Sequence, residues 1–192
     1  MSLFFETIKI ENGEILNLEE HNIRLNRTIY KNFLYSLDIN LNDYIKVPDL
    51  KTYRCKVVYD KEIRTIDFIP YNQRVFRSFK IIHSDIVYPY KSLNRSELDK
   101  LFAQKGSCDD IVIVRDGFIC DTSIANIAIY DGKSWVTPKK PLLLGTQRAK
   151  LLKDKLIVEK DIKVKDMKNT ARFAIMNSLI GFKEIKDIKF ED

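Results

Sequence analysis

The sequence predicts an α/β chain of two lobes. Leu25, Ile29, Phe33 and Leu37 recur every four residues, with Tyr30 and Leu34 widening the apolar stripe, which is the period of a helix. Short apolar runs bounded by Asn12-Gly13, Asp60-Lys61, Asp116-Gly117 and Asp131-Gly132 read as strands closed by turns. Pro89 punctuates the middle of the chain, and a second series of helix and strand patterns follows it.

Leu3 to Ile10 reads as the first strand, and the Asn-Gly pair in Glu11-Asn12-Gly13-Glu14 favours a tight hairpin turn. The long helix follows from about Leu18 to Leu37. Tyr53 to Val58 and Ile63 to Ile69 form a strand pair that Pro70 and Asn72-Gln73-Arg74 end. These elements make a first lobe over residues 1–87. The second lobe, 88–192, opens with a helix running to Gln104, with Asn94 as N-cap and Glu97 as capping-box partner. Asp110 to Val114, Gly117 to Cys120 and Ala125 to Tyr130 read as strands. After Trp135-Val136-Thr137-Pro138 comes a helix from Thr146 to about Lys155, and a last strand runs through Arg172 to Met176. There are no repeats and no low-complexity segments.

A hydrophobic content of 45% and a charged content of 31% over 192 residues are globular values. The net charge of +6 does not point to nucleic acid. Lysines are interleaved with acids, as in Lys153-Asp154-Lys155 and Lys183-Glu184-Ile185-Lys186-Asp187, and no compact basic stripe forms. Cys55, Cys108 and Cys120 form no CxxC pair, which fits a reducing compartment. His21 and His83 lie far apart in sequence without a metal-ligand pattern, so no metal is expected. The start lacks a basic segment followed by an apolar core, and no run approaches membrane-spanning length. The expectation is a cytoplasmic protein with no membrane partner.

Six places carry candidate chemistry. Lysines are mostly surface residues. Lys91, however, sits among Tyr88, Pro89, Tyr90 and Leu93, an apolar setting that strips hydration and lowers an amine's pKa towards nucleophilic range. Asp121 ends the apolar run Gly117-Phe118-Ile119-Cys120, and reads either as a turn residue before Ser123 or as a carboxylate with a chemical role. Leu144-Gly145-Thr146-Gln147-Arg148 opens a helix whose first amides and dipole suit an anion, and glycine permits close approach. His21, Arg24 and Thr28 share one helix face, and a guanidinium fork suits a phosphate. Asn177 and Ser178 close an apolar strand with two hydrogen-bonding side chains. Arg54, on a strand, could take a substrate carboxylate.

In order and wording these segments resemble the class IV aminotransferase family, the fold-type IV pyridoxal-phosphate enzymes, from Phe4-Phe5-Glu6-Thr7 to Asn177-Ser178-Leu179-Ile180-Gly181. The resemblance implies a fold like D-amino acid aminotransferase, with pyridoxal 5'-phosphate between the two lobes. Family members usually begin with a further strand and a Gly/Asp-rich loop before the Phe-Glu-Thr segment, so an N-terminally shortened form is implied. Lys91, in the family's Lys-Ser-Leu-Asn motif, would be the catalytic lysine carrying the cofactor as a Schiff base. Asp121 would face the pyridine nitrogen. It keeps the Glu-x-x-x-x-Asn spacing to Asn126, with Asp in place of the usual Glu. Arg24, in His-x-x-Arg-Leu, and Gly145, Thr146 and Gln147 would hold the phosphate, with Leu144 where a proline is familiar. Asn177 and Ser178 resemble the segment beside the phosphate in 4-amino-4-deoxychorismate lyases. The implied function is that lyase, which forms 4-aminobenzoate (a folate precursor) and pyruvate. A D-amino acid or branched-chain aminotransferase and a non-catalytic pyridoxal-phosphate-binding member are the alternatives. A small amino substrate and a homodimer are implied as partners.

Overall fold

The computed structural model describes residues 2–36 and 38–192, a mixed α/β chain. It divides into two compact units, Met1–Gln73 with Tyr90–Asn94, and Arg74–Pro89 with Arg95–Asp192. The single break expected after residue 87 is thus replaced by three crossings. The reason is strand pairing: residues 78–83 join the second unit's sheet, and residues 91–93 return to the first unit's first strand.

In the first unit β1 (Phe4–Glu11) and β2 (Glu14–Ile15) form the expected hairpin, with Asn12 and Gly13 both at positive φ in the turn. After α1 (Leu18–Phe33) come β3 (Tyr53–Tyr59) and β4 (Ile63–Pro70), giving an antiparallel sheet of order β2-β1-β3-β4. Alternation along β1 buries Phe4, Glu6, Ile8 and Ile10. The apolar three pack with Leu25 and Ile29 of α1 and with Tyr53, Cys55, Val57 and Tyr59 of β3. Glu6 is the polar member of that row. The helix ends earlier than its periodicity suggested: Leu34 turns left-handed (φ 52°), its N–H returns to Tyr30 O, and its side chain is 86% exposed. Leu37, the expected end, lies outside the described residues. Tyr30 also faces solvent rather than the core. Residues 91–93 run alongside the start of β1, with Phe5 N–H donating to Lys91 O over 2.9 Å and Leu93 N–H to Leu3 O over 2.8 Å.

The second unit holds β5 (Ser78–His83), α2 (Ser96–Phe102), β6 (Asp110–Arg115), β7 (Phe118–Thr122), β8 (Asn126–Tyr130), β9 (Trp135–Pro138), α3 (Thr146–Lys153), β10 (Val158–Lys160), α4 (Val164–Lys168), β11 (Phe173–Asn177), β12 (Gly181–Ile185) and β13 (Lys189–Glu191). Their sheet runs β10-β9-β8-β7-β6-β5-β13, and β11 with β12 joins it at β8. The pairs β5 with β6, β13 with β5 and β10 with β9 are parallel. Asp110 through Val114 are all buried, because β6 is covered on both faces by two clusters, one around Phe79, Val112, Ile127 and Phe173, the other around Leu98, Ile111, Ile113 and Cys120. α2 corrects an expectation: it starts at Ser96 with Arg95 at the cap position and no side-chain cap, so Asn94 and Glu97 do not form a capping box. The backbone at Leu93, drawn to Leu3, delays the helix. Among the described residues no helix is long and apolar enough to cross a membrane.

Candidate active site

The first unit carries Lys91, Arg24 and Arg54. The Lys91 side chain is half-buried, with Nζ 4.7 Å from the centroid of the Phe5 ring, an arrangement that favours a cation over an aromatic face. Lys56 Nζ lies 5.7 Å from the same centroid. Lys56 escaped the sequence reading, since one lysine on a strand carries no signal. Register places it beside Thr7 of β1 and Asp67 of β4. Arg54 is exposed on the same face of the sheet, beside Lys9 and Ile69.

On the opposite face of β1, Glu6 is fully buried and accepts from His21 Nδ1 over 2.6 Å, from Arg24 Nε over 2.9 Å, and from Arg24 Nη2. Burial alone would raise the Glu6 pKa, but the Arg24 charge and the His21 hydrogen bond outweigh it and hold the carboxyl at about 2. Burial lowers the His21 pKa against the pull of Glu6, and the Arg24 and Lys91 charges act in the same direction as burial. That direction favours the neutral imidazole, whose Nδ1–H tautomer is the one that can donate to the Glu6 carboxylate. Glu6 was missed in sequence, although a signal existed: it is the one charged residue in the apolar row Phe4, Glu6, Ile8, Ile10.

The second unit carries Asp121, Gly145, Thr146, Gln147, Asn177 and Ser178. Asp121, on β7, is 3% exposed. The turn that follows is built by Thr122 instead, whose Oγ1 accepts from Ile124 and Ala125 N–H over 3.2 and 3.0 Å. Asp121 Oδ1 accepts from Asn126 Nδ2 over 2.7 Å and Oδ2 from Leu143 N–H over 2.9 Å. Burial outweighs these two bonds and pushes the carboxyl pKa up to about 7. Gly145 is the extended N-cap of α3 and carries no side-chain cap, and Thr146 behind it is buried. Arg148 anchors this helix start by giving Nη2 to Pro138 O over 2.9 Å and to Glu159 Oε1 over 2.6 Å.

Asn177 serves the β11–β12 turn. Its Oδ1 accepts from Leu179 and Ile180 N–H over 2.9 and 2.8 Å, and its Nδ2 reaches Ile124 O over 3.2 Å. Ser178 follows it, half-buried in the turn. Within the first unit, then, Lys91 and Arg24 meet neighbouring residues of β1, Phe5 and Glu6. Within the second, Asp121 and Gly145 meet at Asn126. Among the described residues no group of three His, Cys, Asp or Glu side chains is arranged to hold a metal ion. Taken by itself, the first unit offers an amine over an aromatic ring, a group that condenses with aldehydes. Taken by itself, the second offers a buried carboxyl near neutrality, which suits a basic nitrogen, and a helix start that suits an anion, where a side chain on Gly145 would collide with Asn126.

The sequence model of the family described as amino-transferase class IV matches residues 63–188. An uncharacterized protein of Haemophilus influenzae is 38% identical over 183 residues, covering 92% of this chain and 97% of its own. Among solved structures, a protein of Haemophilus somnus provisionally named a 4-amino-4-deoxychorismate lyase is 33% identical, with a TM-score of 0.87 over 94% of this chain and 98% of that one. A hypothetical aminotransferase from Mycobacterium tuberculosis, in its PLP-bound form, shares the fold at 15% identity, with a TM-score of 0.82 over 97% of this chain and 81% of that one.

Proposed function

The chain belongs to the amino-transferase class IV family, and on that premise we propose that it is a pyridoxal-phosphate-dependent 4-amino-4-deoxychorismate lyase of the cytoplasm, acting as a homodimer. The observation that carries this reading is the 33% identity, over nearly the full length of both chains, to the Haemophilus somnus protein of that provisional name. When bound, pyridoxal phosphate supplies an aldehyde that condenses with amines and a ring that draws electrons from the carbon beside the nitrogen. Lys91 is the amine that holds it. When its amine is free, Lys91 would be the group that accepts and returns a proton beside the substrate nitrogen. Asp121 holds a proton at the ring nitrogen. Burial raises the carboxyl pKa to about 7, so an adjacent cation would be what holds it ionised at neutral pH. Gly145, Thr146 and Gln147 present the start of α3 to the phosphate, with the Arg24 guanidinium as a second anion-binding group. Asn177 and Ser178 are the remaining cofactor contacts, and Arg54 meets a substrate carboxylate. Cleavage of aminodeoxychorismate gives 4-aminobenzoate and pyruvate with no other substrate.

The test is a product assay on the purified protein loaded with pyridoxal phosphate. Pyruvate and 4-aminobenzoate should appear in equal amounts without any added 2-oxo acid. If no pyruvate forms, but a D- or branched-chain amino acid converts the cofactor to its amine form, the protein is an aminotransferase. A protein that binds the cofactor and does neither is a non-catalytic family member.

A further inference from the structure

We propose that Asn126 is a positioning residue whose carboxamide fixes residues 143–145, and with them the start of α3, against the Asp121 carboxylate. This rests on the pyridoxal-phosphate reading only for what the fixed loop binds.

Asn126 stands directly opposite Asp121 across β7 and β8, and its side chain is buried. Nδ2 donates to Asp121 Oδ1 over 2.7 Å and to Leu143 O over 2.9 Å, which uses both of its hydrogens. Two oxygens around one nitrogen also fix which way the amide points. Leu143 N–H returns to Asp121 Oδ2 over 2.9 Å, so strand, strand and loop close a ring of three hydrogen bonds. The other end of the carboxamide faces Gly145, where a Cβ would stand 2.0 Å from Asn126 Oδ1. Gly145 has an ordinary φ of −71°, so the glycine is required by space rather than by backbone conformation. A side chain at 145 and a carboxamide at 126 exclude each other.

One side chain therefore touches the carboxyl and both neighbours of Leu144, and it sets the distance between Asp121 and the first amides of α3. A rigid aromatic ligand with a basic nitrogen on its ring and a phosphate arm needs that distance held before it arrives. Truncating residue 126 frees the loop and leaves Asp121 short of a donor.

The experiment compares Asn126→Ser, Asn126→Asp, Gly145→Ala and the double variant Asn126→Ser/Gly145→Ala with wild type. It reads hydrogen exchange at the Leu143 amide without cofactor, thermal stability, and the Kd for pyridoxal 5'-phosphate. Losing one buried partner is expected to speed Leu143 exchange and weaken the cofactor about tenfold in Asn126→Ser. Asn126→Asp keeps the volume and loses the donor, so it should give the same loss of Leu143 protection even if the serine variant folds poorly. Gly145→Ala should be damaging alone and nearly harmless beside Asn126→Ser, where the vacated space takes the methyl group. The proposal is overturned if Asn126→Asp keeps wild-type protection and affinity, or if Gly145→Ala is equally damaging in both backgrounds. A wild-type protein with no affinity for pyridoxal phosphate would sink the cofactor reading, while Leu143 exchange and the Gly145 comparison would still decide the role of Asn126.

Discussion

Arg24 on α1 grips Glu6 on β1 with two parallel hydrogen bonds, from Nε to Oε1 over 2.9 Å and from Nη2 to Oε2. The carboxylate is fully buried, while the Arg24 side chain keeps 13% of its exposure. A buried pair broken from one side leaves an uncompensated charge, which costs about 3–5 kcal/mol. Glu6→Gln should therefore lower stability by an amount of that order in urea unfolding at pH 7. Arg24→Lys should lose less, because it keeps the charge and gives up only the fork. Equal losses from the two variants would contradict the geometry.

The same carboxylate gives the stability a pH signature. Glu6 has a folded pKa of about 2 against an ordinary 4.5. Its contribution is therefore present above pH 4.5 and lost as pH falls through about 2. Stability measured by urea midpoint should fall between pH 4.5 and pH 2, and Glu6→Gln should remove that part of the decline. An unchanged acid limb in the variant would place the acid sensitivity elsewhere.

Lys91 should carry the cofactor. Reduction with borohydride followed by peptide mass mapping should find the label on Lys91 and not on Lys56, the other ammonium beside the Phe5 ring. Lys91→Ala should lose both the visible absorbance and all turnover, whereas Lys56→Ala should keep the absorbance. A label on Lys56 would reverse the assignment.

How far this molecule can be read from sequence depends on the range of each interaction. The α1 periodicity and the apolar runs of β1 and β3 are local: the two strands appear where expected, and the helix starts where expected but ends at Phe33. β6 shows no alternation because both of its faces are covered. Its parallel partner β5 and the partner of that strand, β13, are joined by long connections that leave no local mark. The Asn94 and Glu97 spacing satisfied a capping rule, yet Leu93 was drawn to Leu3, ninety positions away along the chain. Lys91 and Asp121 stood out through their neighbours in sequence. Asn126 stood out only by its spacing from Asp121, and the long-range contacts left no mark: Glu6 meets residues of a helix, and Asn126 meets the loop at Leu143.

Assembly can be tested directly. Members of this family generally dimerise, and a two-fold pair is the commonest closed assembly. Light scattering at micromolar concentration should return twice the 22.6 kDa chain mass. A mass equal to one chain at that concentration would count against the homodimer.

Asp121 tests the cofactor's chemistry and the fold together. Its carboxyl is pushed up to about 7 from an ordinary 3.8, chiefly by burial, which is the reverse of the Glu6 case. Its contribution is fully present below pH 3.8 and is lost as pH rises through about 7. Without cofactor, stability should therefore decline between pH 4 and pH 7, and Asp121→Asn should flatten that decline. With cofactor, the ionised carboxyl would face a protonated ring nitrogen, and the asparagine offers no countercharge. Each pKa unit lost by the ring nitrogen is about 1.4 kcal/mol, so a loss of two or more units lowers turnover about a hundredfold or more. Asp121→Asn should keep the cofactor, since Lys91 and the phosphate contacts remain, and should fall in kcat by that factor. Near-normal kcat would mean that Asp121 only organises Asn126 and Leu143, and a flattened stability profile with full activity would identify that purely structural role.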